Sequence, residues 1–177
     1  MSGRTLAAVL VMGVSGCGKS TVGEALAARL GWPFADGDDF HPPANVAKMR
    51  SGTPLTDADR IPWLHIIAGW IDQRRHGGTP GVVTCSALKR AYREILMASP
   101  NPSTSGDVRL VYLHGSASLI AARQAARQGH FMPASLVASQ FATLEQPGPE
   151  EHPLTLGVEL APEQIVERIV AGLGLAT

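Results

Sequence analysis

Gly13-Val14-Ser15-Gly16-Cys17-Gly18-Lys19-Ser20, followed by Thr21, stands between the apolar run Leu6-Ala7-Ala8-Val9-Leu10-Val11-Met12 and a helical pattern. Gly, four residues, then Gly-Lys-Ser between a strand and a helix is the arrangement of a phosphate-binding P-loop. Glycines let the backbone wrap so that successive N–H groups converge on phosphate oxygens. The helix that follows adds its unpaired N–H groups and the positive end of its dipole. Gly13, Val14, Ser15, Gly16, Cys17, Gly18, Lys19, Ser20 and Thr21 are therefore expected to hold nucleotide phosphates. Lys19 supplies a mobile charge for the β- and γ-phosphates, and the Ser20 hydroxyl is placed to hold Mg²⁺.

Outward from this loop, short apolar runs alternate with helical patterns. Strands are expected at 5–12, 32–35, 82–85, 108–113 and 154–160. Helices are expected at 19–30, from Pro42-Pro43 to about Arg50, from Thr56 or Asp57 to His76, at 88–98, 116–128 and 133–144, and after Ala161-Pro162. In the first helix Val22, Ala25, Leu26 and Leu30 fall on one face, and in the long one Ile61, Leu64, Ile67, Ala68 and Ile71 do so. Trp63 and Trp70, seven apart, read as core. This alternation means βαβ units: an α/β fold with a parallel sheet, helices on both faces and the first strand in the centre. Ligands in such sheets sit at the carboxyl ends of the strands. That gathers 13–20, 36–41, 85–89 and the residues from His114 onward on one rim.

The totals narrow the class. The 177 residues carry 15 Lys plus Arg and 15 Asp plus Glu, a formal net charge of zero, with 45% hydrophobic residues. One domain over 1–177 is expected. Neutrality argues against a broad electrostatic grip on nucleic acid or an anionic membrane. No apolar stretch is long enough to span a bilayer. Of the two cysteines, Cys17 lies in the phosphate loop, where a disulfide would lock a region that must move, so a reducing, cytoplasmic setting is expected. Only three residues are lysine (Lys19, Lys48 and Lys89) against twelve arginines, which draws attention to those three positions.

Asp36-Gly37-Asp38-Asp39 closes the second strand on the rim. One carboxylate there can serve Mg²⁺ and another can orient a substrate hydroxyl and accept its proton. His41 has no second His or Cys at ligand spacing, so a transition-metal site is not expected. Lys48, Arg50, Asp59 and Arg60, in the insertion after the second strand, form a cluster suited to a substrate carboxylate, as does Lys89 after the third strand. Arg123 and Arg127, before Gln128-Gly129 and His130, have the composition of a lid: a hinge, with cations to close over ATP phosphates. Arg123 can alternatively stack on adenine.

Beyond the P-loop, the motifs Asp36-Gly37-Asp38-Asp39-Phe40-His41-Pro42, Asn45-Val46-Ala47-Lys48-Met49, Gly52-Thr53-Pro54-Leu55 and Asp57-Ala58-Asp59-Arg60-Ile61-Pro62-Trp63-Leu64 resemble gluconokinases of the P-loop type. So do Cys85-Ser86-Ala87-Leu88-Lys89-Arg90-Ala91-Tyr92-Arg93, Gly129-His130-Phe131 and Gln140-Phe141-Ala142-Thr143-Leu144-Glu145, and the likeness runs from about 6 to 170. The resemblance implies transfer of phosphate from ATP to the terminal hydroxyl of D-gluconate, giving 6-phosphogluconate. It also implies a fold similar to shikimate and nucleoside monophosphate kinases: a P-loop NTPase-type five-stranded parallel sheet, a helical substrate-binding insertion at 38–76 and a lid region at 116–145. Such enzymes are often homodimers.

By analogy with the Asp-x-Asp of shikimate kinase, Asp36 serves Mg²⁺ with Ser20, and Asp38 serves the attacking hydroxyl. The catalytic set expected is then Lys19, Asp38 and Arg127, with Arg123 on the nucleotide. Asp38, His41, Lys48, Arg60, Lys89, Arg127 and His130 are expected around gluconate. Two rivals stand beside this reading. Another small polyol acid could be the acceptor, although Cys85-Ser86-Ala87 stands where shikimate kinases have glycines. A non-catalytic nucleotide-binding switch would need neither a hydroxyl-facing carboxylate nor a cationic insertion, and no Asn-Lys-x-Asp for guanine occurs.

Overall fold

The computed structural model describes residues 5–101, 103, 106–127 and 134–176. Among them, β1 (Ala8–Met12), β2 (Phe34–Asp36), β3 (Gly81–Thr84), β4 (Val108–His114) and β5 (Leu154–Gly157) form one sheet in the order β2-β3-β1-β4-β5. Every pairing is parallel, and β1 lies in the centre with Leu10 opposite Val83 on one side and Leu110 on the other. The expected α/β sheet and its central P-loop strand are both present.

Parallel strands need crossovers, and these supply the helices α1 (Lys19–Leu30), α2 (Pro43–Arg50), α3 (Asp57–Gly77), α4 (Arg90–Met97), α5 (Ala117–Ala126), α6 (Ala134–Thr143) and α7 (Pro162–Leu173). The two-residue period of a strand divides the core. Val9 and Val11 pack with Val22 and Leu26 of α1 and with Ile165 and Ile169 of α7. Ala8, Leu10 and Met12 face the other way, against Trp63, Leu64, Ile67 and Ile71 of α3 and Tyr92 and Leu96 of α4. A strand buried on both faces reads as a continuous apolar run, which is why β1 was legible without alternation.

Several details depart from the sequence reading. On α1 it is Ala27 that is buried, and Ala25 faces solvent. On α3 Ile61 is 41% exposed and Ala68 half-buried, because the inward stripe runs Arg60, Trp63, Leu64, Ile67 and Ile71. A charged residue therefore holds the first inward position, which an apolar-periodicity rule passes over. The second strand runs to Asp36 itself before a 3₁₀ turn over Gly37–Phe40, and the fifth stops at Gly157. These two strands end where their ladder partners end, Asp36 opposite Thr84 and Gly157 opposite His114, a tertiary limit that local composition does not carry.

The α3 helix is fixed at both ends. Thr56 and Asp59 form a reciprocal capping box, with Asp59 N–H donating to Thr56 Oγ1 at 3.2 Å and Thr56 N–H to Asp59 Oδ2 at 2.9 Å. Near its C-terminus, half-buried Arg75 makes a forked pair with buried Asp107, just before β4, at 2.7 and 3.0 Å.

Gly37 sets the spacing between β2 and its surroundings. A Cβ at this position would lie 2.1 Å from the Thr84 carbonyl oxygen, which is backbone and cannot swing aside. Gly37→Ala is therefore expected to lower stability by about 1–3 kcal/mol through overpacking, read as a fall of several degrees in Tm. An unchanged Tm would show that the β2–β3 end is looser than this packing requires.

Candidate active site

The carboxyl ends of β1, β2 and β3 carry the P-loop, the Asp36 turn and the Ser86 segment. Gly18 has φ +96°, a left-handed conformation that lets the loop turn directly into α1, so Lys19 and Ser20 occupy the first helical positions. Their N–H groups lack intrahelical partners and the helix dipole adds positive potential, which is the physical basis of anion binding there. Lys19 Nζ donates to the Val14 carbonyl at 3.0 Å, keeping the ammonium over the loop.

Asp36 is the anchor of the rim. Its Oδ2 accepts from Ser20 Oγ at 2.5 Å, and its Oδ1 accepts from Thr84 Oγ1 at 3.2 Å and from Asp38 N–H at 3.0 Å. Ser20 and Asp36, read from sequence as the metal pair, are thus in direct contact. A hydroxyl and a carboxylate are hard oxygen donors, and Mg²⁺ takes only one or two protein ligands beside phosphates and water, so this pair fits that ion. Among the described residues no group of three His, Cys, Asp or Glu could hold a metal.

A cavity opens between this rim, the insertion and α6. Ser15, Lys19 and Asp38 line one side, His41, Arg60 and Trp63 another, with Met49, Pro54, Leu55, Ser86, Leu136, Ser139 and Gln140 completing the wall. The arrangement joins a phosphate-loop cation, an exposed carboxylate and a guanidinium around one space. His41 stacks on Trp63 with ring centroids 4.0 Å apart, and Trp63 Nε1–H donates to the Gly37 carbonyl at 2.7 Å. Trp63 is thus both core, as read from sequence, and cavity wall.

The state of His41 follows from its partners. Asn45 Nδ2 donates to the Asp59 carbonyl at 3.0 Å and lies 3.3 Å from His41 Nδ1, so Nδ1 accepts and Nε2 carries the hydrogen. Nε2 lies 3.9 Å from Asp38 Oδ1. Burial, assisted by the positive charge of Arg60, holds the His41 pKa down at about 4.

The expected cationic cluster separates into two kinds. Lys48 pairs with Asp59 at 2.7 Å, and this hydrogen bond, with help from Thr56, lowers the Asp59 carboxyl to about 2. Lys89 pairs with Asp57 at 3.1 Å and lies over the Tyr92 ring; Asp57 is lowered first by its hydrogen bond from the Tyr92 hydroxyl and then by Lys89. Neither lysine lines the cavity. Both instead clamp the first turn of α3, where acidic residues favour the helix dipole and so attract cations of their own. Arg60 does line the cavity. It is 8% exposed, its Nη1 donates to Tyr92 Oη at 3.1 Å, and among the described residues it has no salt bridge. Arg50 is exposed on α2.

Arg123 and Arg127 face a second cleft, walled by Gly16, Cys17, Gly18 and Thr21 of the loop and by Val158, Leu160, Pro162 and Ile165. The structure therefore sets Arg127 in this second cleft, outside the cavity that holds Asp38 and Arg60. His130 and the Gln128-Gly129 hinge lie outside the described residues.

Sequence reasoning assigned no role to Thr84, Asn45, Ser86 or Gln140. Thr84 was hidden inside an apolar strand. Ser86 precedes Ala87, whose φ of +46° is a left-handed value unusual for a residue with a Cβ. Arg93, 1% exposed, holds this bend: its Nη1 donates to the Ala87, Leu88 and Glu145 carbonyls while its other nitrogens grip Glu151.

A family described as an AAA domain matches residues 9–147. The chain is 48% identical to a gluconokinase of Gluconobacter oxydans over 162 residues, covering 92% of this chain and 88% of that protein. A crystal structure of a gluconokinase from Sinorhizobium meliloti superposes with TM-score 0.84 at 46% identity, covering 97% of this chain and 94% of the other. An unliganded sugar kinase from a Janibacter species gives TM-score 0.88 at 45% identity, covering 97% and 96%. A parallel sheet centred on a phosphate loop, an Asp36–Ser20 contact at its mouth and relatives of this closeness along the whole chain have one reading: the chain belongs to the gluconokinase family of P-loop kinases.

Proposed function

We propose that this enzyme transfers the γ-phosphoryl group of ATP to the terminal hydroxyl of D-gluconate, giving 6-phospho-D-gluconate and ADP. The observation that carries this is the shared cavity of Lys19, Asp38 and Arg60. It offers a phosphate-side cation, a carboxylate for a hydroxyl and a guanidinium for a carboxylate. The names of the relatives point to the same acceptor.

In the proposed reaction the hydroxyl oxygen of gluconate bonds to the γ-phosphorus, the bond from that phosphorus to the β,γ-bridging oxygen breaks, and the hydroxyl proton passes to Asp38. Lys19 and the loop N–H groups hold the phosphates in line, which is most of the catalytic work in phosphoryl transfer. Mg²⁺, when bound, neutralises phosphate charge, and Ser20 and Asp36 would hold it. Arg123 and Arg127 line the cleft expected to take the nucleotide base and outer phosphate charge. Arg60 takes the gluconate carboxylate, because Lys48 and Lys89 are already paired with Asp59 and Asp57. Neutral His41, with Nε2–H toward Asp38, orients that carboxylate or a neighbouring substrate hydroxyl without competing for its proton.

The reading is tested by coupled ADP release with MgATP against D-gluconate, shikimate, other aldonates and no acceptor. Turnover confined to gluconate is expected; equal rates without acceptor would contradict it. Asp38→Asn is expected to lower kcat by roughly 10²–10⁴-fold, the usual range for a lost general base. Arg60→Ala should raise the KM for gluconate by roughly 10–100-fold, the equivalent of a charged hydrogen bond, whereas Lys89→Ala should leave it within about threefold.

The pH dependence has a definite sign. His41 binds a proton at about 4 in the fold against an ordinary 6.5, so the unfolded chain takes up protons first. Its contribution to stability is complete above pH 6.5 and is lost as pH falls toward 4. His41→Gln should flatten the fall in Tm across that window; an unaltered slope would mean that other groups govern it.

A further inference from the structure

One face of α6 closes the acceptor cavity, and its last residue has no part in the reaction described above. Leu136, near the start of the helix, is buried against Met49 of α2 with Leu55 beside them. One turn later, Gln140 reaches the phosphate loop, where Ser15 N–H donates to Gln140 Oε1 at 2.5 Å. A single helix is thus held on the insertion at one end and on the loop at the other. The spacing of Leu136 and Gln140, four residues, puts both on the same side.

The Ser15 contact also fixes the chemistry of the carboxamide. A backbone N–H requires an acceptor, so Oε1 faces the loop and Nε2, with its two hydrogens, is directed away from that N–H. Gln140 and Ser15 line the same cavity as Asp38 and Arg60. The acceptor proposed for this cavity is rich in hydroxyls, and each buried hydroxyl needs a partner.

We infer that Gln140 is a specificity-determining residue: the loop holds its Oε1, and its Nε2–H₂ donates to an oxygen of the polyhydroxy acid beside the transferred phosphoryl group. The inference rests on the gluconate reading and adds to it. It makes α6 the element that connects phosphate-loop geometry to recognition of the acceptor. A site built to hydrogen-bond a substrate hydroxyl discriminates strongly against acceptors that cannot satisfy it.

Two substitutions separate this role from a structural clamp. Gln140→Glu retains an oxygen to accept from Ser15 N–H but has nothing to donate, and Gln140→Leu has neither. With wild type alongside, KM for gluconate, KM for ATP and Tm are measured for each. The expected result is a rise of about tenfold in gluconate KM in both variants, larger than any rise in ATP KM, since one lost hydrogen bond is worth about that factor. Gln140→Glu holding gluconate KM within about twofold of wild type would overturn the inference, as would losses confined to Tm or ATP KM. If Gln140→Leu fails to fold, Gln140→Glu decides alone. Wild type without gluconate turnover would remove the gluconate reading and this inference together, an outcome distinct from active wild type with unaffected variants.

Discussion

The rim of this enzyme depends on the Asp36 carboxylate. It ends β2, yet its oxygens accept from the first turn of α1 through Ser20, from the end of β3 through Thr84, and from the backbone of Asp38. A carboxylate shared among three elements fixes their relative positions more tightly than apolar packing can, because hydrogen bonds to an ionised acceptor are strong and directional. Gly37 allows the approach, since a side chain there would meet the Thr84 carbonyl. Trp63 then closes on the Gly37 carbonyl and carries His41 on its face. The cavity lined by Asp38, His41 and Arg60 is a continuation of that chain of contacts.

Much of this was legible in the sequence. The apolar run 6–12 and the glycine-lysine loop after it place a strand, a turn and a helix with little ambiguity, and the alternation that follows leaves a parallel sheet as the simple solution. The strand-end rule then brought Asp36, Asp38 and Ser20 together without coordinates. Charge assignment was less legible. Lys48, Arg60 and Lys89 read alike as cations near a site, but α3 begins with Asp57 and Asp59, and those two acids take the lysines. The sequence left Thr56 and Asp57 as alternative starts of the helix; the capping box of Thr56 with Asp59, and its consequence for the lysines, needed the fold. Arg60 was separated from them by its place in the cavity wall and its burial, and burial of a charged residue is what apolar periodicity cannot forecast.

The role of Gln140 was out of reach for a related reason. Its segment stood among the family motifs, but the motif names no partner for the side chain, which meets Ser15 across 125 positions of sequence. Thr84 was similarly masked, since a threonine inside Val82-Val83-Thr84 reads as an ordinary strand residue. The residues recovered from sequence are those whose chemistry is local to a motif. The residues missed are those that connect motifs, and it is they that give the cavity its shape.

The claim that Arg60, and not a lysine of the α3 first turn, receives the acceptor carboxylate is most directly tested by a crystal structure with D-gluconate and a non-hydrolysable ATP analogue. The gluconate carboxylate is expected on the Arg60 guanidinium, with the terminal hydroxyl beside Asp38 and with Lys48 and Lys89 still paired to Asp59 and Asp57. A carboxylate seated on Lys89 or Lys48, with those pairs broken, would contradict it.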